Sequence, residues 1–421
     1  MTTAVARAVP FVFANFRNAL MATASAGLLV ALAPGAKAAS CVTTANNDTC
    51  VIDLTNITDI HDGQGQTTGD ILQFNDNVNP LTITGKQIGT GTGSATTNFV
   101  NFEFAEIINN TTLTVTSATG DTAPTGVSGW TIAAGSILNV SGTGGNAINN
   151  AASLVANGTF NVIESETVGA LSGSGSIVVS ATEFLSANGA DTTFSGVISG
   201  AGGFEKIGSG KLTLSGVNTF GGGLWASGGT LVLTGANTSS GAVNVSGGTL
   251  EIGNADAISS ANAVNISAGA LTSKGIASYT ITAPVTITTT NQLSRLTGNA
   301  LITDSVQSNG GLQPGNTSVP TWGVNTVDDN PGQDMGQITI NGTYEATGQY
   351  AYVGMFIDID LAAPAGGTAG VDKDFLTING GVIGTTATKF SGLSFQQFPA
   401  GAPTTGDGIQ VIRIAGASAN P

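Results

Sequence analysis

The sequence predicts an all-β protein: a right-handed parallel β-helix, wound as a single-stranded solenoid and closed by a C-terminal β cap. Three observations lead there. Beyond residue 100 the chain is a series of short apolar alternations of period two, punctuated by glycine. The same tetrapeptides return at intervals of about twenty residues, the mark of a solenoid. And the mature chain holds no sustained apolar stripe at the helical period of about 3.6 residues, so little helix is expected.

The alternations are half-buried strands. Thr112-Leu113-Thr114-Val115, Ser176-Ile177-Val178-Val179, Lys211-Leu212-Thr213-Leu214 and Thr230-Leu231-Val232-Leu233 turn aliphatic side chains to one side and Thr, Ser or Lys to the other. Their spacing selects the architecture. Gly228-Gly229-Thr230-Leu231 returns as Gly247-Gly248-Thr249-Leu250 nineteen residues later, and in degenerate form as Ala268-Gly269-Ala270-Leu271 after twenty-one more. Asn244-Val245-Ser246-Gly247 is echoed by Asn265-Ile266-Ser267-Ala268 and preceded by Asn139-Val140-Ser141-Gly142. A leucine-rich repeat needs a leucine and asparagine pattern that is absent, and a β-sandwich does not repeat one tetrapeptide at nearly constant spacing. About twenty residues without helix make one β-helix turn, stacked on the next at about 4.8 Å.

Composition agrees. Of 421 residues 61 are glycine, which accepts the sharp corners every coil requires. Only 9% are charged and 41% are hydrophobic, enough apolar material for a core and unlike a disordered chain. The glycines follow no three-residue period, which excludes collagen.

Residues 1–38 read as an export signal. Arg7 and Arg17 form a basic start, Ala19 to Ala33 an apolar run, and Ala36-Lys37-Ala38 an A-x-A pattern that places cleavage between Ala38 and Ala39. The run is too short for a membrane anchor and is broken by Pro34. Removal takes away three of the 11 cations and none of the 26 carboxylates, so the mature chain is more acidic than the formal net charge of −15. With its few Lys and Arg scattered, it is not expected to bind nucleic acid. Cys41 and Cys50 lie just past the cleavage point. In an oxidising compartment they suit a small disulfide loop; acylation of Cys41 is the alternative, although Ala38-Ala39-Ser40-Cys41 lacks the leucine usual in such a site.

One segment carries a family pattern. Gly203-Phe204-Glu205-Lys206-Ile207-Gly208-Ser209-Gly210-Lys211-Leu212-Thr213-Leu214-Ser215-Gly216-Val217-Asn218-Thr219-Phe220-Gly221 resembles the passenger-associated repeat of bacterial autotransporters. Its residues Gly203, Lys206, Gly208, Gly210, Leu212, Leu214, Gly216 and Asn218 stand at the repeat's characteristic positions, with Phe220 in place of a tyrosine. Gly228-Gly229-Thr230-Leu231-Val232-Leu233 supplies the sequel. Residues 311–421 resemble the end of a pertactin-like passenger, in Gly311-Leu312-Gln313-Pro314-Gly315-Asn316, Gly336-Gln337-Ile338-Thr339-Ile340-Asn341-Gly342, Asp374-Phe375-Leu376-Thr377-Ile378-Asn379-Gly380 and Gly408-Ile409-Gln410-Val411-Ile412-Arg413-Ile414. The resemblance implies an N-terminal cap and first coils over 39–100, passenger repeats over 101–330 and an autochaperone or C-terminal cap over 331–421. It also implies a cell-surface structural or adhesive protein with an unidentified carbohydrate or protein ligand. An outer-membrane translocator barrel, the family's usual continuation, is expected outside residues 1–421.

The sequence offers few groups for chemistry. His61 is the single histidine and sits in the turn-like Ile60-His61-Asp62-Gly63, with no G-x-S-x-G elbow to accompany it. Gly208-Ser209-Gly210-Lys211-Leu212 lacks the earlier glycine and the Ser or Thr of a phosphate loop and reads as a turn before a strand. Asp328, Asp329, Asp334, Asp358, Asp360, Asp372 and Asp374 are carboxylates with no evident convergence. No catalytic residue, metal ligand set or cofactor is expected. The competing expectation is a β-helical polysaccharide lyase or hydrolase using surface carboxylates; two convergent acids and a base on one outer face would favour it.

Overall fold

The computed structural model describes residues 49–52, 61–62, 70–84, 88–89, 99–100, 102–117, 127–142, 147–180, 183–186, 189–273, 275–288, 294–314, 337–346, 356–359, 375–380, 382–384, 394–397 and 412–414. Among them every regular element is a β-strand, and the strands pair in parallel into stacked sheets, a β-solenoid. The chain divides into two compact units, Met1–Gly169 and Ala170–Pro421.

In the first unit, Thr49–Ile52, Ile71–Phe74, Phe104–Ile107, Gly129–Ile132 and Ser153–Ala156 stack in that order. Leu81–Thr84, Thr112–Ser117, Ile137–Gly142 and Thr159–Val162 make a second face. Inward side chains fall into ladders, such as Leu81, Leu113, Leu138 and Phe160, all fully buried. Outward amides form their own ladders, with Asn161 Nδ2 donating to Asn139 Oδ1 at 2.8 Å and Asn139 Nδ2 to Thr114 Oγ1 at 3.1 Å. At one corner Asn109 and Asn110 adopt left-handed φ of 54° and 62°, which asparagine tolerates better than other side chains do.

His61 lies in the short strand His61–Asp62, paired in parallel with Phe99–Val100, and not in a turn. Two residues of pairing are enough to override the glycines and aspartate that read as turn signals.

The second unit shows why the sequence repeats. Thr230 pairs with Thr249 and Thr249 with Ala270, while Asn244 pairs with Asn265. The recurring tetrapeptides are thus the same rung on successive coils. Leu212, Leu231, Leu250, Leu271, Leu296 and Leu312 form one continuous, fully buried inward ladder. A parallel face begins with Phe184 and Phe204, whose ring centroids are 5.7 Å apart, and continues through Leu224, Val243, Val264, Val285, Val306 and Tyr344. Each leucine in such a ladder removes roughly 2 kcal/mol worth of apolar surface from water. A third face runs Tyr279–Ile281, Ala300–Ile302, Gln337–Ile340, Phe375–Ile378 and Ile412–Ile414, so the described strands beyond residue 336 include further parallel rungs.

Candidate functional site

The residues of the repeat motif are placed by the stacking of coils. Lys206 ends strand Gly203–Lys206 pointing inward, in the ladder Ser186, Lys206, Ala226. Small neighbours above and below leave room for its stem. Its side chain is fully buried, and Nζ reaches a corner, donating to the carbonyls of Ile207 at 2.6 Å, Gly208 at 2.8 Å and Gly228 at 3.4 Å. Burial pushes this ammonium below its ordinary range. Gly208 turns that corner at φ 78°, and Lys211–Leu214 follows as a strand, with Leu212 and Leu214 buried. Gly210 and Gly216 pack against backbone of the preceding coil, and Phe220 is buried.

Asn218 is a second buried polar anchor. Its Oδ1 accepts the N–H of Ile198 at 2.9 Å, and its own N–H donates to Asn237 Oδ1 at 2.9 Å. Asn218 Nδ2 bonds the carbonyl of Gly216 at 3.2 Å and Asn237 Oδ1 at 3.0 Å, while Asn237 Nδ2 reaches the carbonyl of Ala257 at 3.1 Å. Each asparagine therefore satisfies the backbone at the corner of the preceding coil. A small cavity beside this ladder is lined by Asn218, Phe220, Leu224, Asn237, Val243 and Ile258, largely apolar and without a cluster of reactive groups.

The outer face of the same coils carries the remaining chemistry. On the outward column, Glu205 pairs with Trp225 and Trp225 with Asn244; beside it Glu183 pairs with Gly203. The Trp225 indole lies across Gly203 and Gly223. A methyl carbon on Gly203 would come within 2.6 Å of the ring, and one on Gly223 closer still. Trp225, Glu183 and Glu205 are half-buried. Burial, then the charge of Glu205 and a hydrogen bond between the two carboxyls, pushes Glu183 above the usual carboxylate range. The direct contact sets these carboxyls closer than the roughly 5 Å or more that separates the acid pair of a glycosidase.

A further carboxyl belongs to the first unit. Glu166 is buried, and its Oε2 accepts the N–H of Ala147 at 2.8 Å while Oε1 accepts that of Thr167 at 3.2 Å. Burial outweighs these donors and pushes it up to about 8.

Sequence reasoning missed Trp225, the Glu183–Glu205 pair and Glu166. The signal was present: Trp225 alternates with the inward Leu224 and Ala226, and Glu166 shares the phase of the inward Val168, so period two alone puts the first outside and the second inside. Of the other expected positions, Cys50 is buried and disulfide-bonded, whereas Cys41, Ala38 and Ala39 lie outside the described residues. So do Asp328, Asp329, Asp334, Asp360, Asp372 and Asp374; Asp358 lies in strand Phe356–Ile359. Among the described residues no group of three or more His, Cys, Asp and Glu is arranged to hold a metal ion.

The comparisons follow the same coils. The family model described as the passenger-associated transport repeat matches residues 204–233 and 226–252. No curated protein and no solved structure matches the chain. The matched residues run from strand Gly203–Lys206 to strand Thr249–Ile252, and so contain Lys206, Asn218, Asn237 and Trp225.

Proposed function

We propose that this chain, whose transport repeats and parallel β-solenoid fit an autotransporter passenger domain, works at the cell surface as a structural and adhesive protein rather than as an enzyme. The repeat implies export to the surface or the medium. The observation that carries the reading is the division of labour in the matched coils. The charged and amide groups of the motif, Lys206 and Asn218, are spent on backbone carbonyls and N–H groups inside the coil, and the outside carries polar rungs such as Asn244 with Asn265 and Ser227 with Ser246 beside Glu205 and Trp225. Such a surface offers repeated polar contacts. The Glu183–Glu205 pair supplies two acids on one outer face, as the enzyme alternative asks, but the neighbouring cation Lys206 is turned inward. Residues 1–38 would be the leader, removed between Ala38 and Ala39; Cys41 and Cys50 would close a loop at the start of the mature chain; residues 331–421 would template folding from the C-terminal end.

The test uses cells that make the protein. Added protease should remove it from intact cells, or the mature form should be in the medium, with an N-terminus at Ala39. Deleting the gene should reduce adhesion to surfaces or to other cells. A protein retained in the cytoplasm with its leader would contradict the export, and unchanged adhesion would contradict the adhesive role.

A further inference from the structure

The outer face around Trp225 differs from the amide and hydroxyl ladders elsewhere on the coils. The indole lies against Gly203 and Gly223, a position open only because neither residue has a side chain. The two glycines bring the ring close to the backbone, while the residue as a whole stays half-buried and accessible. Glu183 continues the Gly203 column and Glu205 the Trp225 column, so two carboxyls stand on one side of the ring. On the other side Asn244, one rung on, carries an amide whose Oδ1 accepts from Asn265 at 3.0 Å. A rigid apolar plate with hydrogen-bonding groups along both sides is the complement of a pyranose, which has an apolar C–H face and a rim of hydroxyls. Two further facts narrow the class. The chain's net charge of −15 and the carboxyl pair repel anionic sugars. The two carboxyls also meet one another, and with the amide of Asn244 they place polar atoms where a sugar's hydroxyls would lie.

We infer that the ledge formed by Trp225 on Gly203 and Gly223, flanked by Glu183, Glu205 and Asn244, is a binding site for a neutral oligosaccharide, one pyranose stacking on the indole. The inference rests on the adhesive reading and gives it a ligand class.

Two neutral probes, the β-1,4-linked hexasaccharides of N-acetylglucosamine and of glucose, and one anionic probe, hexagalacturonate, would be titrated into the purified mature chain by calorimetry and tryptophan fluorescence. At least one neutral probe should bind and perturb the fluorescence. Trp225→Ala should weaken binding by at least about tenfold, the worth of one lost ring contact. Trp225→Phe should retain part of the affinity, and Glu205→Gln should weaken binding without changing the circular dichroism. Hexagalacturonate should not bind. Should Trp225→Ala fail to fold, the Phe and Gln variants carry the comparison. Failure of both neutral probes to bind, affinity indifferent to these substitutions, or equal binding of hexagalacturonate or of a lysine hexapeptide would overturn the inference. None of those results touches export or whole-cell adhesion, which are measured separately above.

Discussion

Glu166 gives the solenoid a pH dependence of its own. The residue is 2% exposed, and its carboxyl is raised from 4.5 to about 8 by desolvation, against the pull of backbone donors at Ala147, Ile148 and Thr167. Between those two values the folded chain holds a proton that the unfolded chain has released. Stability contributed by this group is therefore complete below about 4.5 and is lost as the pH rises through about 8. At about 1.4 kcal/mol per unit the full loss is about 5 kcal/mol, an upper figure because an opened corner would let water in. Glutamine has the shape and polarity of the protonated acid, so Glu166→Gln should remove most of the dependence and make the chain more stable than wild type at pH 8.5. The assay is urea unfolding followed by circular dichroism at pH 5, 7 and 8.5 for both proteins. Wild-type midpoints that rise with pH across this range, or the same slope in the variant, would refute the reasoning.

Other perturbations read the polar anchors of the coil interior. Lys206→Met keeps the buried stem but leaves three carbonyls without their donor; it should cost about 1–3 kcal/mol in the same unfolding assay. Asn218→Ala strands the Ile198 N–H in a buried corner and should cost about 2–3 kcal/mol, whereas Asn265→Ala on the exterior ladder should cost less than about 0.5 kcal/mol. Leu250→Ala opens a hole in the leucine ladder and should cost about 2–5 kcal/mol, with accelerated proteolysis near strand Thr249–Ile252.

The fold was legible because a solenoid writes its structure twice. Period-two alternation names the inward residues, and the recurrence of Gly228-Gly229-Thr230-Leu231 as Gly247-Gly248-Thr249-Leu250 gives the register directly, since Thr230 and Leu231 do pair with Thr249 and Leu250. Spacing near twenty was equally informative for Asn244 and Asn265. What pattern could not supply was the third dimension of the outer face. That Trp225 lies on Gly203, a residue one coil earlier, depends on two glycines meeting across a rung, and no local window contains both them and Glu183. Lys206 is a related case. A lysine at an inward position looks like an error in alternation until the stacked neighbours Ser186 and Ala226 and the corner carbonyls of the coil are placed around it. Glu166 was hidden because its partners Ala147 and Ile148 lie on the corner of another coil.

The parallel, in-register stack is the claim on which everything else depends, and cysteine pairs on its outer face test it most directly. Asn244 and Asn265 occupy neighbouring rungs, and Thr286 the rung after. Adjacent rungs lie about 4.8 Å apart, within disulfide reach, while two rungs are separated by about 9.6 Å, beyond it. Oxidation followed by peptide mass mapping should find a crosslink in the Asn244→Cys, Asn265→Cys variant and none in the Asn244→Cys, Thr286→Cys variant. A missing first crosslink together with an efficient second would contradict the stack and, with it, the ladders, the buried anchors and the Trp225 ledge.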